Sequence, residues 1–214
     1  MRYNYLIPRV VFSILLASSF FILLITGNVL ILINEWYLRW EYSRLEPNQR
    51  LEPEERLKLS KRILRFIKGQ VELREIEGEL NQREIRHLRD VRDLVHKIKI
   101  LNYLALLTLS MILIFNKKRM NFVMSIISIS SGIFLLFLSI SLFLISLKFD
   151  YFFIKFHELV FPGGFWWFGE EDTLIQLYPE KFWKDFTLII ISSLLVENIF
   201  IFTISLLTNR RNLK

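Results

Sequence analysis

Three histidines, His87, His96 and His157, are the only side chains in this 214-residue chain that ordinarily titrate near neutral pH. Cysteine is absent, so neither a thiolate nucleophile nor a disulfide framework is available. No Gly-x-Ser-x-Gly elbow offers a serine nucleophile either. What remains is proton transfer by imidazole, and two rings suit a reaction in which one group loses a proton while another gains one. His87 stands in REIRHLRDVRDL, three residues before Asp90 and beside an apolar stripe that includes Val91 and Leu94. A carboxylate at that spacing is expected to orient the ring and raise its basicity. His96 lies nine residues further on, about half a turn out of phase on a helix, so it faces away. His157 stands in IKFHELVFPGGFWWFGEED, in dense aromatic company.

The elements that must position these rings are set by the apolar runs. Hydrophobic residues make up 53% of the chain, with 20 Phe and a mean hydropathy of +0.37, and they are clumped rather than spread. Runs at about 10–33, 100–115, 122–147 and 186–207 approach or exceed the roughly 20 residues that cross a bilayer core. The first has no small-x-small cleavage site before Glu35 and is expected to be a retained anchor. The expected architecture is all-α: an integral membrane protein with four transmembrane helices and an extracellular, mostly helical cap. It divides into an N-terminal tail and first span (1–34), the cap (35–99), the second and third spans with their short connection (100–147), an aromatic outer loop (148–185), and the last span with the C-terminus (186–214).

Charge placement gives the expected orientation. Arg2 and Arg9, the NKKRMN connection and the terminal NRRNLK contain no acid, whereas 20 of the 21 acids lie in 35–99 and 148–185. By the positive-inside rule the basic segments, and with them both termini, are expected in the cytoplasm. That bias accounts for the net charge of +7, so no nucleic-acid partner is inferred from it. The remaining acid, Glu197, falls inside the last span, where a charge is costly and needs a partner. Asn28 and Asn198 are the candidates.

In the cap, Pro47 and Pro53 break the early part, with a turn expected at Asn48 and Gln49. LKLSKRILRFIKG then sets Leu57, Ile63, Phe66 and Ile67 along one side of an amphipathic helix suited to lie on a membrane or cap the bundle. Gly69 is expected to end it. A second helix begins near Asn81 with Ile85, Leu88, Val91, Val95 and Ile98 at helical spacing, and runs on into the second span. Its dense charges would, on the plainest view, form i,i+3 and i,i+4 pairs. The outer loop holds thirteen aromatic residues, more than an interfacial belt requires, and enough to line an acyl-chain pocket.

REIRHLRDVRDL followed by a span, and KFHELVFPGGFWWFGEEDTLIQLYPEKFWKD before the last span, resemble the lipoprotein intramolecular transacylases (Lit) of Gram-positive bacteria. The resemblance covers the whole chain. It implies transfer of the sn-2 acyl chain of a lipoprotein's S-diacylglyceryl cysteine onto that cysteine's α-amine, giving the lyso-form. It implies catalysis by two histidines at the cap–membrane boundary, here His87 and His157, with no covalent enzyme intermediate and no cofactor. The expected partners are the diacylated lipoprotein and membrane lipid, at the extracellular face of the cell membrane. The chemistry fits the residues. An α-ammonium with a pKa near 8 must lose a proton to attack an ester, and the departing glyceryl oxygen must gain one. Attack closes a ring of about eight atoms, so holding the substrate folded contributes up to roughly 7–11 kcal/mol.

Around the pair, Asp90 is the expected orienting group for His87. Asp172 would orient His157 or cap a helix starting near Thr173. Arg86 or Arg89 would hold a lipid carbonyl or an acid, with surface ion pairing the plainer use of at least one. Arg89, the His157 ring N–H, or a backbone N–H near Gly163 and Gly164 would meet the oxyanion. Phe161, Trp166 and Trp167 would wall the pocket. Two rival classes remain. A metal-dependent membrane hydrolase would take His87, His157 and an outer acid as ligands, but no closely spaced ligand pair such as H-E-x-x-H is present. A non-catalytic assembly or transport protein would have to work with one intramembrane acid and no evident repeat.

Overall fold

The structure, a computed structural model, describes residues 3–46 and 51–211. The turn expected at Asn48 and Gln49, Arg2 and the terminal residues past Arg211 lie outside the described residues. Among those described there is no strand. Eight α-helices follow in order: α1 (Tyr3–Leu32), α2 (Glu35–Tyr42), α3 (Pro53–Ile67), α4 (Gln82–Phe115), α5 (Met120–Leu147), α6 (Phe149–Val160), α7 (Thr173–Leu177) and α8 (Glu180–Arg211). Single 3-10 turns fall at Leu73–Glu75, Glu77–Glu79 and Lys117–Arg119. Four helices are long and apolar enough to cross a membrane, with spans in α1, α4, the 3-10 turn running into α5, and α8.

The chain separates into two compact units. One comprises residues up to Val29, Lys99–Phe143 and those from Ile190 onward, the apolar stretches of the four long helices. Leu16, Val123 and Ile127 are buried at its centre, with Phe12, Leu109, Ile112 and Ile201 packed around them. Interhelical hydrogen bonds, a main source of association where lipid supplies no hydrophobic drive, tie it together. Asn102 Nδ2 donates to Thr26 Oγ1 at 2.9 Å, and Asn198 Nδ2 to the Ser131 carbonyl at 2.8 Å. Of the two partners considered for Glu197, Asn28 bonds it, Nδ2 to Oε2 at 2.9 Å.

The other unit comprises Leu30–Ile98 and Leu144–Ile189 and holds all three histidines. Its core is the buried face of α3, Leu59, Ile63 and Phe66, against Ile76, Leu88 of α4, and Leu174 and Leu177 of α7. The apolar side of α3 is thus covered by protein within its own unit rather than presented to a membrane. The stripe is also rotated from expectation: Leu57 and Ile67 are half-buried, while Leu59 and Leu64 are buried. Pro53 opens α3 at a position where its missing N–H costs nothing. Gly69, at φ +76°, turns the chain just beyond its C-terminus, as glycine does without strain.

The start of α4 is fixed by a reciprocal cap. Asn81 Oδ1 accepts from the N–H groups of Arg83 (2.9 Å) and Glu84 (3.1 Å), and Glu84 Oε2 accepts from the Asn81 N–H at 2.8 Å. The other Glu84 oxygen accepts the Leu174 N–H at 2.7 Å, so one buried carboxylate joins the starts of α4 and α7. Asp172 reinforces that junction, accepting from Asn81 Nδ2 at 2.6 Å and from the Gly169 N–H at 2.7 Å. Arg83 lies 3.7 Å from the same carboxylate.

Candidate active site

α6 was read from sequence as part of a loop, yet it is a 12-residue helix with one aromatic face. Phe149, Phe153 and His157 recur at four-residue spacing, and their rings meet in series in tilted contacts, 5.6 Å and then 4.2 Å between centroids. His157 is 9% exposed. Its Nδ1 lies 2.8 Å from the Phe153 carbonyl one turn earlier. A carbonyl only accepts, so the proton of the neutral ring sits on Nδ1 and the lone pair on Nε2.

Pro162 ends α6, and Gly164, at φ +73°, reverses the chain with its N–H on the Phe161 carbonyl at 3.2 Å. The reversal brings Trp166 back over His157 at 5.1 Å. Trp166 is buried, and Trp167 stacks on it at 4.2 Å while staying 58% exposed. Phe161 reaches both imidazoles, 4.9 Å from His87 and 5.5 Å from His157. Phe168 also meets His87 edge-on, 5.5 Å between centroids.

His87 lies one turn into α4 from the Asn81–Glu84 cap, half-buried, with its ring centroid 6.0 Å from that of His157. Residues 70 positions apart in sequence are thereby brought to one aromatic enclosure. Burial lowers the His87 pKa to about 4, and the neighbouring His157 ring pushes the same way. Burial lowers the His157 pKa as well, opposed by its bond to the Phe153 carbonyl. Both rings are therefore neutral at pH 7. Among the described residues the buried His87 Nδ1 has no hydrogen-bonding partner. His96 is exposed.

A cavity of about 380 Å³ adjoins the pair across Phe161. Its α4 wall carries Arg86, Arg89, Asp90, Asp93 and Lys97, and residues 160–163 with Phe165 form the other side. Asp90 lines this cavity and makes no hydrogen bond to His87. At three residues' separation it sits about 60° around the helix from the ring, and the ring is turned into the aromatic enclosure. Arg86 lies over the Phe165 ring at 5.0 Å, and Arg89 is exposed at the cavity wall. The expected intrahelical ion pairs are not formed by any of these five charges among the described residues. Asp172 stands in the N-cap position of α7 but makes no side-chain cap bond and does not reach His157. Its oxygens are taken up by Asn81 and Gly169, so it fixes the loop to α4 instead. Trp166 belongs to the enclosure around His157, and neither tryptophan lines the cavity.

Three contributors escaped the sequence reading. Asn81 and Glu84 were legible as an Asn-x-x-Glu cap signature. Phe153 was legible as the i−4 neighbour of His157 on an aromatic face. Among the described residues no three His, Asp or Glu side chains are grouped to hold a metal ion.

Residues 13–183 match the family model described as lipoprotein intramolecular transacylase Lit. An uncharacterised protein of Aquifex aeolicus is 30% identical over 201 residues, covering 85% of this chain and 87% of its own. The fold is similar to that of the membrane-integral lipoprotein intramolecular transacylase Lit from Bacillus cereus, solved in meso, with a TM-score of 0.82 at 17% identity over 96% of this chain and 98% of that one. A histidine-to-arginine variant of the same protein aligns with a TM-score of 0.76 at 16% identity, covering 99% of this chain and 97% of that one.

Proposed function

Because the chain belongs to the lipoprotein intramolecular transacylase (Lit) family, we propose that His87 and His157 carry the proton transfers of its acyl-transfer reaction. The substrate is a lipoprotein whose N-terminal cysteine bears an S-diacylglyceryl group. The α-amine attacks the sn-2 ester carbonyl, an N–C bond forms, the carbonyl–oxygen bond to the glycerol breaks, and the product is the N-acyl, lyso-glyceryl form. The α-ammonium first loses one proton to solvent. As the amine attacks, His157 Nε2 takes a second proton and passes it to His87, which delivers it to the departing glyceryl oxygen. Both rings end neutral, and the acyl transfer itself consumes no proton. The observation that carries this reading is the pair itself: two imidazoles from separate segments, 6.0 Å apart, in surroundings that hold both neutral. A neutral ring can accept a proton at pH 7, as a general base must.

The oxyanion candidates narrow on the same geometry. The His157 Nδ1–H is taken up by Phe153 and the Gly164 N–H by Phe161, which leaves Arg89 and the Gly163 N–H at the cavity wall. Phe161 and Trp166 hold the rings and exclude water, which strengthens each electrostatic contact. The charge pattern supports cytoplasmic termini and a site at the extracellular face, where acyl chains stay in the outer leaflet during transfer.

Mass spectrometry of a synthetic diacylated lipopeptide, before and after exposure to the purified protein, tests the reaction. Total mass is expected to stay constant while one acyl chain moves to nitrogen. Loss of one acyl mass would instead indicate a hydrolase. His87→Asn and His157→Asn are each expected to slow transfer by at least about 100-fold, the lower end of general acid–base contributions. Full activity in either folded variant would remove that ring from the mechanism.

A further inference from the structure

The cavity beside the histidine pair carries charges of both signs. Along α4, Arg86 precedes Asp90, Arg89 precedes Asp93 and Asp93 precedes Lys97, each by four residues. Such spacings ordinarily produce side-chain ion pairs on a helix. None forms here among the described residues, and Arg86 lies over Phe165 instead. In the pairs Arg86 with Asp90 and Arg89 with Asp93 the cation is N-terminal to the acid, the weaker orientation for an i,i+4 pair, whereas Asp93 with Lys97 has the stronger order and is unpaired all the same. The two carboxylates therefore face the cavity without a cation bound to them. Among the described residues they are the only acids that line it, and Phe161 is the wall shared with both imidazoles.

Resting on the reading of the reaction given above, we propose that this cavity holds the substrate's N-terminal cysteine, with Asp90 and Asp93 binding its α-ammonium and Arg86 and Arg89 its carbonyl oxygens. The substrate meets the protein mainly in its charged form, because an α-amine titrates near pH 8. An anionic contact is what distinguishes that group from everything else on a diacylglyceryl peptide. Contact with the two carboxylates favours the charged form, so loss to solvent of the proton that must leave before attack falls to the neutral imidazoles acting as bases. The acids thus select and place the nitrogen, and the imidazoles prepare it to react. Asp90, expected from spacing to orient His87, is assigned to the substrate instead.

Binding without turnover separates this inference from the histidine mechanism. The probe is a dialkyl-ether lipopeptide, which has no ester to transfer, prepared with its α-amine and as the des-amino analogue. Affinities are measured at pH 6.5 on the full chain in detergent. The unsubstituted protein is expected to bind the amine-bearing peptide about tenfold more tightly, the scale of one charge-assisted hydrogen bond. In Asp90→Asn/Asp93→Asn, a near-isosteric double variant, the preference is expected to shrink below about twofold, with affinity for the des-amino peptide retained. The single variants are read the same way should the double variant fail to fold. A preference that persists undiminished in the aspartate variants would overturn the assignment, as would its absence from the unsubstituted protein. Neither result depends on whether His87 or His157 turns out to be required for transfer.

Discussion

At the scale of the residue, the informative feature is the state of two imidazoles rather than their presence. An imidazolium cannot accept a proton, and the enclosure built from Phe153, Phe161, Trp166 and Phe168 removes the water that would stabilise one. The sign follows directly: above its midpoint each ring is neutral and can act as a base, and acidification charges it. With only three histidines in the chain, ¹³C/¹⁵N-histidine labelling gives a readable NMR titration. His87 is expected to charge only as pH falls toward about 4, and a midpoint at 6 or above would mean that the ring is solvated. The tautomer of His157 has a local cause, a carbonyl four residues earlier on the same helix, and follows once α6 is known to be helical. The depressed pKa of His87 has a distant one, since Phe161, Phe168 and His157 come from a segment about 70 residues away.

At the scale of the element, the site depends on how helix starts are joined. Glu84 is 1% exposed and burial pushes its carboxyl pKa up, against the backbone N–H groups of Asn81 and Leu174 that favour the charged form. It closes the first turn of α4 and also holds the first turn of α7, so His87, three residues on, keeps its place against the loop that carries Phe168. Glu84→Ala leaves two backbone donors without this acceptor and is expected to cost roughly 2–6 kcal/mol, at about 1–3 per buried group. Thermal unfolding in detergent measures this, and a loss well under 1 kcal/mol would show that water replaces the carboxylate. Glu84→Gln retains one acceptor oxygen and is expected to lose less. Asp172 acts in the same junction, which explains why it is drawn away from His157: Asn81 and Gly169 offer its two oxygens one N–H donor each at close range.

At the scale of the whole molecule, four apolar helices make a multi-pass membrane protein, and the orientation proposed for it rests on the charge pattern. The absence of cysteine makes that orientation simple to measure, because any introduced thiol is the only one. Glu170→Cys, in the aromatic loop, is expected to react with a membrane-impermeant maleimide on intact cells. Lys118→Cys, in the short basic connection, is expected to react only after permeabilisation. The reverse pattern would place the site in the cytoplasm. Within the membrane the one acid is engaged by Asn28, in keeping with a charge that carries its own partner rather than lying open to lipid.

Hydropathy alone determined the four spans, because a bilayer imposes a length and a polarity that a run of residues either meets or does not. Helical spacing alone determined that Ile85, Leu88 and Val95 face inward and that His96 faces away. Residue type marked three histidines, and spacing together with the family resemblance singled out His87 and His157 as the candidates. Only the tertiary structure decided that these two rings share an enclosure, that Asp90 faces a cavity instead of an imidazole, and that Asp172 fastens a loop. Those outcomes depend on which distant groups compete for the same donor or the same space, and spacing along one helix carries no information about competitors supplied by another.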